Sequence, residues 1–221
     1  MNTVIQDALP VNVGGEKQSK LNSLLSILIF VLAFLTLFVV MFNYTYCCVY
    51  VVESSMSPTF TGAKSDGVVG GDYVYAEMGA DFTYGDVVII NVSEGNVNRM
   101  IIKRVVAMGG DTLYLDKGKL YVDFKGGEEK FVLIDEPYAI KNNPNLSKNT
   151  MAKVTVPEGK IFVLGDNRDV SKDSRDDSYG CLDQKSVFAV VPDWSIRYKD
   201  AITAFNTFIK FTIPSFFGVK K

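Results

Sequence analysis

Three short stretches hold the side chains that could do chemistry. The first is Val51-Val52-Glu53-Ser54-Ser55-Met56-Ser57-Pro58-Thr59-Phe60, with two adjacent serines ahead of a proline. A serine hydroxyl attacks a carbonyl only when a base takes its proton. The sequence contains no histidine, which removes Ser-His-Asp and Cys-His catalysis and every metal site that needs an imidazole. The second stretch, Arg99 to Asp111, offers another base: Lys103 interrupts the run Met100-Ile101-Ile102 and Val105-Val106-Ala107. In a strand, period-two alternation places Lys103 on the face of Ile101 and Val105, with Arg104 on the other. Burial there must bring the lysine from its ordinary pKa of about 10.4 to near 7–8, where a neutral amine can accept a serine proton. The third stretch, Gly165-Asp166-Asn167-Arg168-Asp169-Val170-Ser171-Lys172-Asp173-Ser174-Arg175, follows the apolar run Ile161–Leu164 and is dense in groups that hold one another by hydrogen bonds. Each stretch also has a plain structural reading: a serine turn before proline, a lysine whose head reaches water, an Asx-rich loop.

These stretches need elements to position them. Short β-branched and aromatic runs between Gly, Asp and Asn predict strands at Tyr73–Glu77, Asp86–Asn91, Met100–Met108, Thr112–Leu115, Leu120–Phe124, Lys160–Leu164 and Ser186–Val191. Asp116-Lys117-Gly118-Lys119 reads as a hairpin turn, and Glu136–Lys153, with Pro137 and Pro144, as a long surface loop. The expected fold is therefore mainly β, one antiparallel domain over residues 47–200. Ahead of it, Leu24 to Phe42 is apolar except for Ser26 and Thr36, and no charge falls between Lys20 and Glu53. As a helix that run spans about 28 Å, close to a hydrocarbon core of ~30 Å. The bulky Asn43-Tyr44-Thr45-Tyr46 that follows is no signal-peptide cleavage site, so residues 21–46 read as a retained transmembrane anchor. Lys17 and Lys20 at its N-terminal end place the tail, residues 1–20, in the cytoplasm and the β domain outside. The tail itself reads as disordered, being polar and without apolar periodicity. The Phe-rich segment 201–221 carries Lys210 and Pro214, which makes it a poor span and a better interfacial segment.

Composition narrows the partners. The 221 residues carry 23 Lys+Arg against 25 Asp+Glu, so no basic field exists to hold nucleic acid. Cys47, Cys48 and Cys181 fit neither a zinc site nor a disulfide framework and read as small buried or interfacial residues. No cofactor or metal is called for.

Taken together and in this order behind one anchor, Ser-Met-Ser-Pro-Thr at 55–59, Lys-Arg-Val at 103–105 and the 165–175 loop resemble the type I signal peptidases, membrane-anchored Ser/Lys proteases of bacteria. The resemblance covers roughly Val51 to Pro192. It implies Ser55 as nucleophile, Lys103 as general base, and Ser171 as the hydroxyl that holds the lysine against the serine. It further implies Asp173 and Arg175 as a bracing ion pair, and Asp166, Asn167 and Arg168 as residues shaping the loop beneath. The substrates would be signal peptides of exported preproteins, cleaved after small residues at the outer face of the cell membrane. Val51, Val52, Met56 and Ile102 are the expected pocket walls, and the Ser55 backbone N–H, with Ser54 as a further donor, the oxyanion hole.

Two departures bear on the chemistry. Glu53 stands where the family usually has Ser or Gly, beside the place where negative charge develops, unless it turns outward toward a base such as Lys64. Val170 replaces a common Asn. A binding module with a decayed dyad, or a protease dedicated to one secreted partner, are the competing readings; retention of Ser55, Lys103, Ser171, Asp173 and Arg175 argues against decay.

Overall fold

The computed structural model describes residues 13–63, 70–94, 97–125 and 130–216; residues 1–12 of the tail, Lys64 and residues 217–221 lie outside that set. It divides into two compact units, Met1–Thr45 and Tyr46–Lys221.

The first unit is one helix, α1, Val13–Thr45. It extends well beyond the apolar run at both ends, and its described N-terminal turns include residues 13–20, which the sequence reading assigned to a disordered tail. From Leu21 to Val40 its Leu, Ile, Phe and Val side chains are exposed on every face. The few polar groups bond back within the helix: Ser26 Oγ donates to the Asn22 carbonyl at 2.9 Å and Thr36 Oγ1 to Leu32 at 2.8 Å. A helix with its backbone and hydroxyls internally satisfied and apolar all round is suited to hydrocarbon. By length and composition Gln18–Thr45 can cross a membrane.

The second unit holds two antiparallel sheets. Its strands are β1 (Tyr46–Tyr50), β2 (Tyr73–Met78), β3 (Val87–Glu94), β4 (Val97–Met108), β5 (Thr112–Asp116), β6 (Lys119–Asp123), β7 (Val132–Leu133), β8 (Met151–Thr155), β9 (Lys160–Leu164), β10 (Leu182–Asp183) and β11 (Val187–Val191). The larger sheet has the order β1-β2-β11-β3-β4-β9-β10, the smaller β7-β6-β5-β8. Two helices close the described chain, α2 (Asp193–Arg197) and α3 (Lys199–Phe216). All seven predicted strands are present within a few residues of their expected bounds. The turn between β5 and β6 forms as expected, with Lys117 at φ 48° and Gly118 at φ 80°, the pair of left-handed residues a two-residue hairpin requires.

The polar stretch 136–153 departs from its reading as a surface loop. Glu136 and Asn149 are buried and the last residues enter β8. Polar composition signalled solvent; here the polar groups face one another inside.

Strand β4 decides where the site lies. Ile102 packs with Val51, Met56, Phe60 and Ile89, Val105 with Val88, Val163 and Ile161, and Val106 with Leu113, Leu115 and Phe162. From 102 to 107 the strand is therefore buried on both faces, and any charge it carries there must be neutralised or paired.

Candidate active site

The geometry of the site begins with β4. Lys103 is only 4% exposed, and its Nζ lies 2.8 Å from Ser55 Oγ and 2.8 Å from the carbonyl oxygen of Ile102. Burial lowers its pKa from 10.5 to about 8, against the opposing pull of Asp173, Glu53 and Asp166. Ser55 is also buried, at the start of the turn that carries Met56 and Phe60 into the core. Its carbonyl accepts from the Asn167 backbone N–H at 3.0 Å, which fixes the serine to the 165–175 loop. Gly165 makes this approach possible. A Cβ there would stand 2.2 Å from Ser171 Oγ and 2.5 Å from the Ser55 carbonyl oxygen.

The loop is held by two buried ion pairs. Arg175 donates to both oxygens of Asp173 at 2.8 Å, and through Nη1 to Asn149 Oδ1 at 2.8 Å. Burial works against the Asp173 carboxylate, but Arg175 and the Gly165 N–H, at 3.0 Å, hold its pKa below the usual range. Arg168, fully buried, forks onto both oxygens of Glu136, which also accepts from Lys141 at 2.8 Å. Ile140 and Asn167 form an isolated bridge alongside. The segment 136–149 thus clamps the loop from its far side.

On the opposite face of β4, Arg104 meets Asp166 through Nε at 2.8 Å and Nη2 at 2.6 Å. Asp166 also accepts from Thr59 Oγ1 at 2.5 Å, while the guanidinium lies 4.0 Å from the Tyr138 ring centroid. A groove of about 570 Å³ opens over the dyad between residues 49–53 on one side and 99–103 on the other, with Lys172 and Tyr179 at its margin.

A base and a hydroxyl thus lie in hydrogen-bond contact beneath an extended groove, on a chain without histidine. The family model for signal peptidase, peptidase S26, matches residues 21–193. A signal peptidase I of Bacillus licheniformis is 34% identical over 163 residues, covering 68% of this chain and 80% of that protein.

The chain belongs to the signal peptidase family.

It is thus a signal-peptide-cleaving serine peptidase, a hydrolase. A signal peptidase I P of Bacillus subtilis subsp. natto is 30% identical over 142 residues, covering 64% of this chain and 72% of that one. A solved signal peptidase I of Enterococcus faecalis aligns with 28% identity over 51% of this chain and 98% of its own, at a TM-score of 0.40.

The positions singled out from the sequence of this signal peptidase fall as follows. Ser55, Lys103, Asn167, Asp173 and Arg175 converge on one site. Val51, Val52 and Ile102 line the groove, but Met56 does not: it is wholly buried among Val51, Phe60 and Ile102, because the turn after Ser55 points it into the core. Ser171 departs from its expected part. Its Oγ is buried beside the Asp173 carboxylate, and Lys103 Nζ is held by Ser55 Oγ and the Ile102 carbonyl. Ser54 is exposed beside the nucleophile. Glu53 is exposed too, with its backbone at φ 72° and its carbonyl packed where a Cβ on Gly62 would sit, 1.6 Å away. The three cysteines are free thiols.

Sequence reasoning missed Arg104, Thr59, Glu136, Tyr138 and Asn149 as partners of the site. Arg104 and Thr59 carried a signal, since both stand inside the short boxes at 103–105 and 55–59.

Proposed function

We infer that this signal peptidase works through a Ser55/Lys103 dyad and an acyl-enzyme, anchored in the cell membrane by α1 with its catalytic unit outside. The observation that carries the reading is the 2.8 Å contact between Ser55 Oγ and a lysine lowered to about 8. The neutral amine accepts the serine proton as Oγ attacks the carbonyl before the cut. It then gives that proton to the leaving amine and, in the second half, takes one from the water that releases the acyl group. The Ser55 N–H, with Ser54 beside it, is the donor set for the oxyanion. Asp173 supports the base without touching it: committed to Arg175, it contributes a distant negative charge rather than an ion pair that would keep the amine protonated.

A preprotein would lie extended in the groove between residues 49–53 and 99–103. Its apolar segment shares the bilayer with α1, which raises the effective concentration of cleavage point and dyad. Lys17 and Lys20 set the orientation by the positive-inside rule.

Acid quenching of full-length protein turning over a peptide ester, followed by peptide mass mapping, tests the chemistry. The acyl mass is expected on the peptide containing Ser55 and is lost in Ser55→Ala. Acyl label on any other residue, or undiminished turnover in Ser55→Ala, overturns the dyad. Protease added to intact spheroplasts is expected to digest the β unit; protection until lysis reverses the orientation.

A further inference from the structure

Helix α3 begins six residues beyond the stretch that the family model matches, and it is built inside out. The side chains it turns toward the β unit are mostly polar, with Ile202 the one half-buried apolar residue among them. Thr203 Oγ1 accepts from the Tyr73 backbone N–H at 2.8 Å, Lys199 meets Asp72 at 3.2 Å, Asn206 lies 3.7 Å from Cys48 Sγ, and Lys210 donates to the Tyr73 hydroxyl at 3.4 Å. The short helix before it makes a similar polar contact, the buried Ser195 hydroxyl accepting from the Tyr75 N–H at 2.8 Å, while its Ile196 packs on the core. The exposed side chains are Ala201, Ala204, Phe205 and Phe208, with Ile209 beside them and the polar Asp200 and Thr207 along one flank; Phe205 and Phe208 are each 59% exposed. A helix in water carries its polar residues outside and its apolar stripe inside. This one satisfies its polar groups on the protein and leaves two phenyl rings on one face.

What covers that face follows from covalent reach. Tyr46 is the residue after α1, and Cys48 lies at most about 10 Å of extended chain beyond Thr45. Trp194, which opens the short helix, packs edge-on against the Tyr46 ring with centroids 5.6 Å apart, and also stacks on Tyr75. Asn206 reaches Cys48. The start and middle of the α2–α3 segment are therefore fixed to the first residues that leave the span. Trp and Tyr at that level are what the boundary between headgroups and acyl chains selects.

Resting on the reading of α1 as a membrane anchor, we propose that α3 lies in the outer surface of the same bilayer, with Phe205, Phe208 and Ile209 among the acyl chains and its polar side docked on β1 and β2. Its occupant is lipid, held by apolar burial. Its charges are few, Lys199 and Asp200 paired in the first turn and Lys210 near the Tyr73 hydroxyl, so apolar burial is the main attraction. The helix gives the catalytic unit an attachment to the membrane of its own, in addition to the covalent tether to α1.

Trp194 is the single tryptophan, so the test can be read by fluorescence. Full-length protein carrying Trp194→Phe and Phe208→Trp is reconstituted in phosphatidylcholine vesicles with and without brominated acyl chains. Bromolipid is expected to quench it by about twofold or more, while Trp194→Phe with Tyr121→Trp, on the smaller sheet, stays unquenched. Equal emission of F208W in both lipids overturns the proposal, as does cross-linking of that face to a second copy. Vesicle flotation separates the failures: a chain that floats with F208W unquenched rejects the lipid-facing helix alone, and one that does not float rejects the anchor as well. Phe205→Ser with Phe208→Ser is expected to leave cleavage of a short peptide in detergent unchanged and to slow a bilayer-embedded preprotein severalfold. Equal losses in both assays assign the two rings to folding and overturn it.

Discussion

Two neighbouring cations on one strand are handled in opposite ways. Lys103 is buried with only a hydroxyl and a backbone carbonyl in contact, and burial lowers its pKa to about 8. Arg104, the next residue, is buried against a forked carboxylate and an aromatic face; although burial opposes its charge, Asp166 raises its pKa further. One face of β4 keeps a cation ready to lose its proton and the other keeps one that never does. The types are suited to this: an ammonium yields its proton when desolvated, whereas a guanidinium stays charged and matches a carboxylate in two parallel bonds. A base and its scaffold can therefore occupy consecutive residues without sharing a charge.

Exchanging the two strategies gives the largest effect. Lys103→Arg puts a group that cannot deprotonate at the dyad, and Lys103→Ala removes the base; both are expected to lower kcat by about 10³-fold or more, near 4 kcal/mol of barrier. Steady-state cleavage of a preprotein in detergent checks this. Retention of a tenth of the wild-type rate by Lys103→Arg, a loss of only ~1.4 kcal/mol, would exclude lysine as the base.

On the other face the loss should appear in stability. Arg104→Ala strands the Asp166 carboxylate and is expected to cost about 3–5 kcal/mol, read as a fall in Tm, whereas the double change Arg104→Met with Asp166→Leu recovers much of it. The kcat of the folded double variant then reports how far the pair positions Thr59 and the 165–175 loop. A single variant as stable as the wild type would mean that the pair carries no structural role.

The sequence made one of these faces legible and hid the other. Lys103 stands out against Ile101, Ile102 and Val105, and an absent histidine makes any buried base conspicuous. The seven strands showed themselves by alternation. What escaped needed tertiary pairing: β1, Tyr46–Tyr50, lies at the boundary between anchor and β domain and was not read as a strand, and β8 was hidden by the polar stretch before it. Glu136 and Asn149 looked like solvent-facing loop residues because their partners, Arg168, Asp169 and Arg175, lie some twenty-five residues or more away in most cases. Ser171 is the reverse case, a hydroxyl picked out by pattern that lies buried beside Asp173 while the Ile102 carbonyl contacts the lysine.

The dyad's lowered pKa also predicts a stability cost. A lysine at about 8 when folded and near 10.4 when unfolded binds fewer protons in the folded state between those values, so its contribution rises with pH across that window. Below pH 8 the folded state carries the full penalty, about 3 kcal/mol. Lys103→Met is thus expected to gain stability on the wild type at pH 6–7, less what the Ile102 carbonyl loses, and the difference should shrink as pH rises toward 10. Denaturation of both proteins across that range measures it; a difference independent of pH would place the lysine outside the buried site.

The smallest effect belongs to Glu53, the exposed carboxylate that raises the Lys103 pKa from the rim of the groove. Activity requires the neutral amine, so kcat/KM rises with pH through the lysine's pKa, and removing a charge that favours the ammonium moves this acidic limb to lower pH. Glu53→Gln should therefore raise the rate below the limb by no more than about twofold, ~0.4 kcal/mol, and leave the plateau unchanged. Salt at ~1 M should mimic the substitution in the wild type, because an exposed charge is screened. Backbone and charge can be told apart here. At φ 72° the position favours glycine, so Glu53→Gly is expected to shift the limb as Gln does and also to raise Tm through relief of about 1 kcal/mol of backbone strain. A limb that stays in place in both variants would show that the carboxylate does not reach the dyad, and a lowered plateau in both, with folding intact, would mean that Glu53 contributes to the chemical step itself.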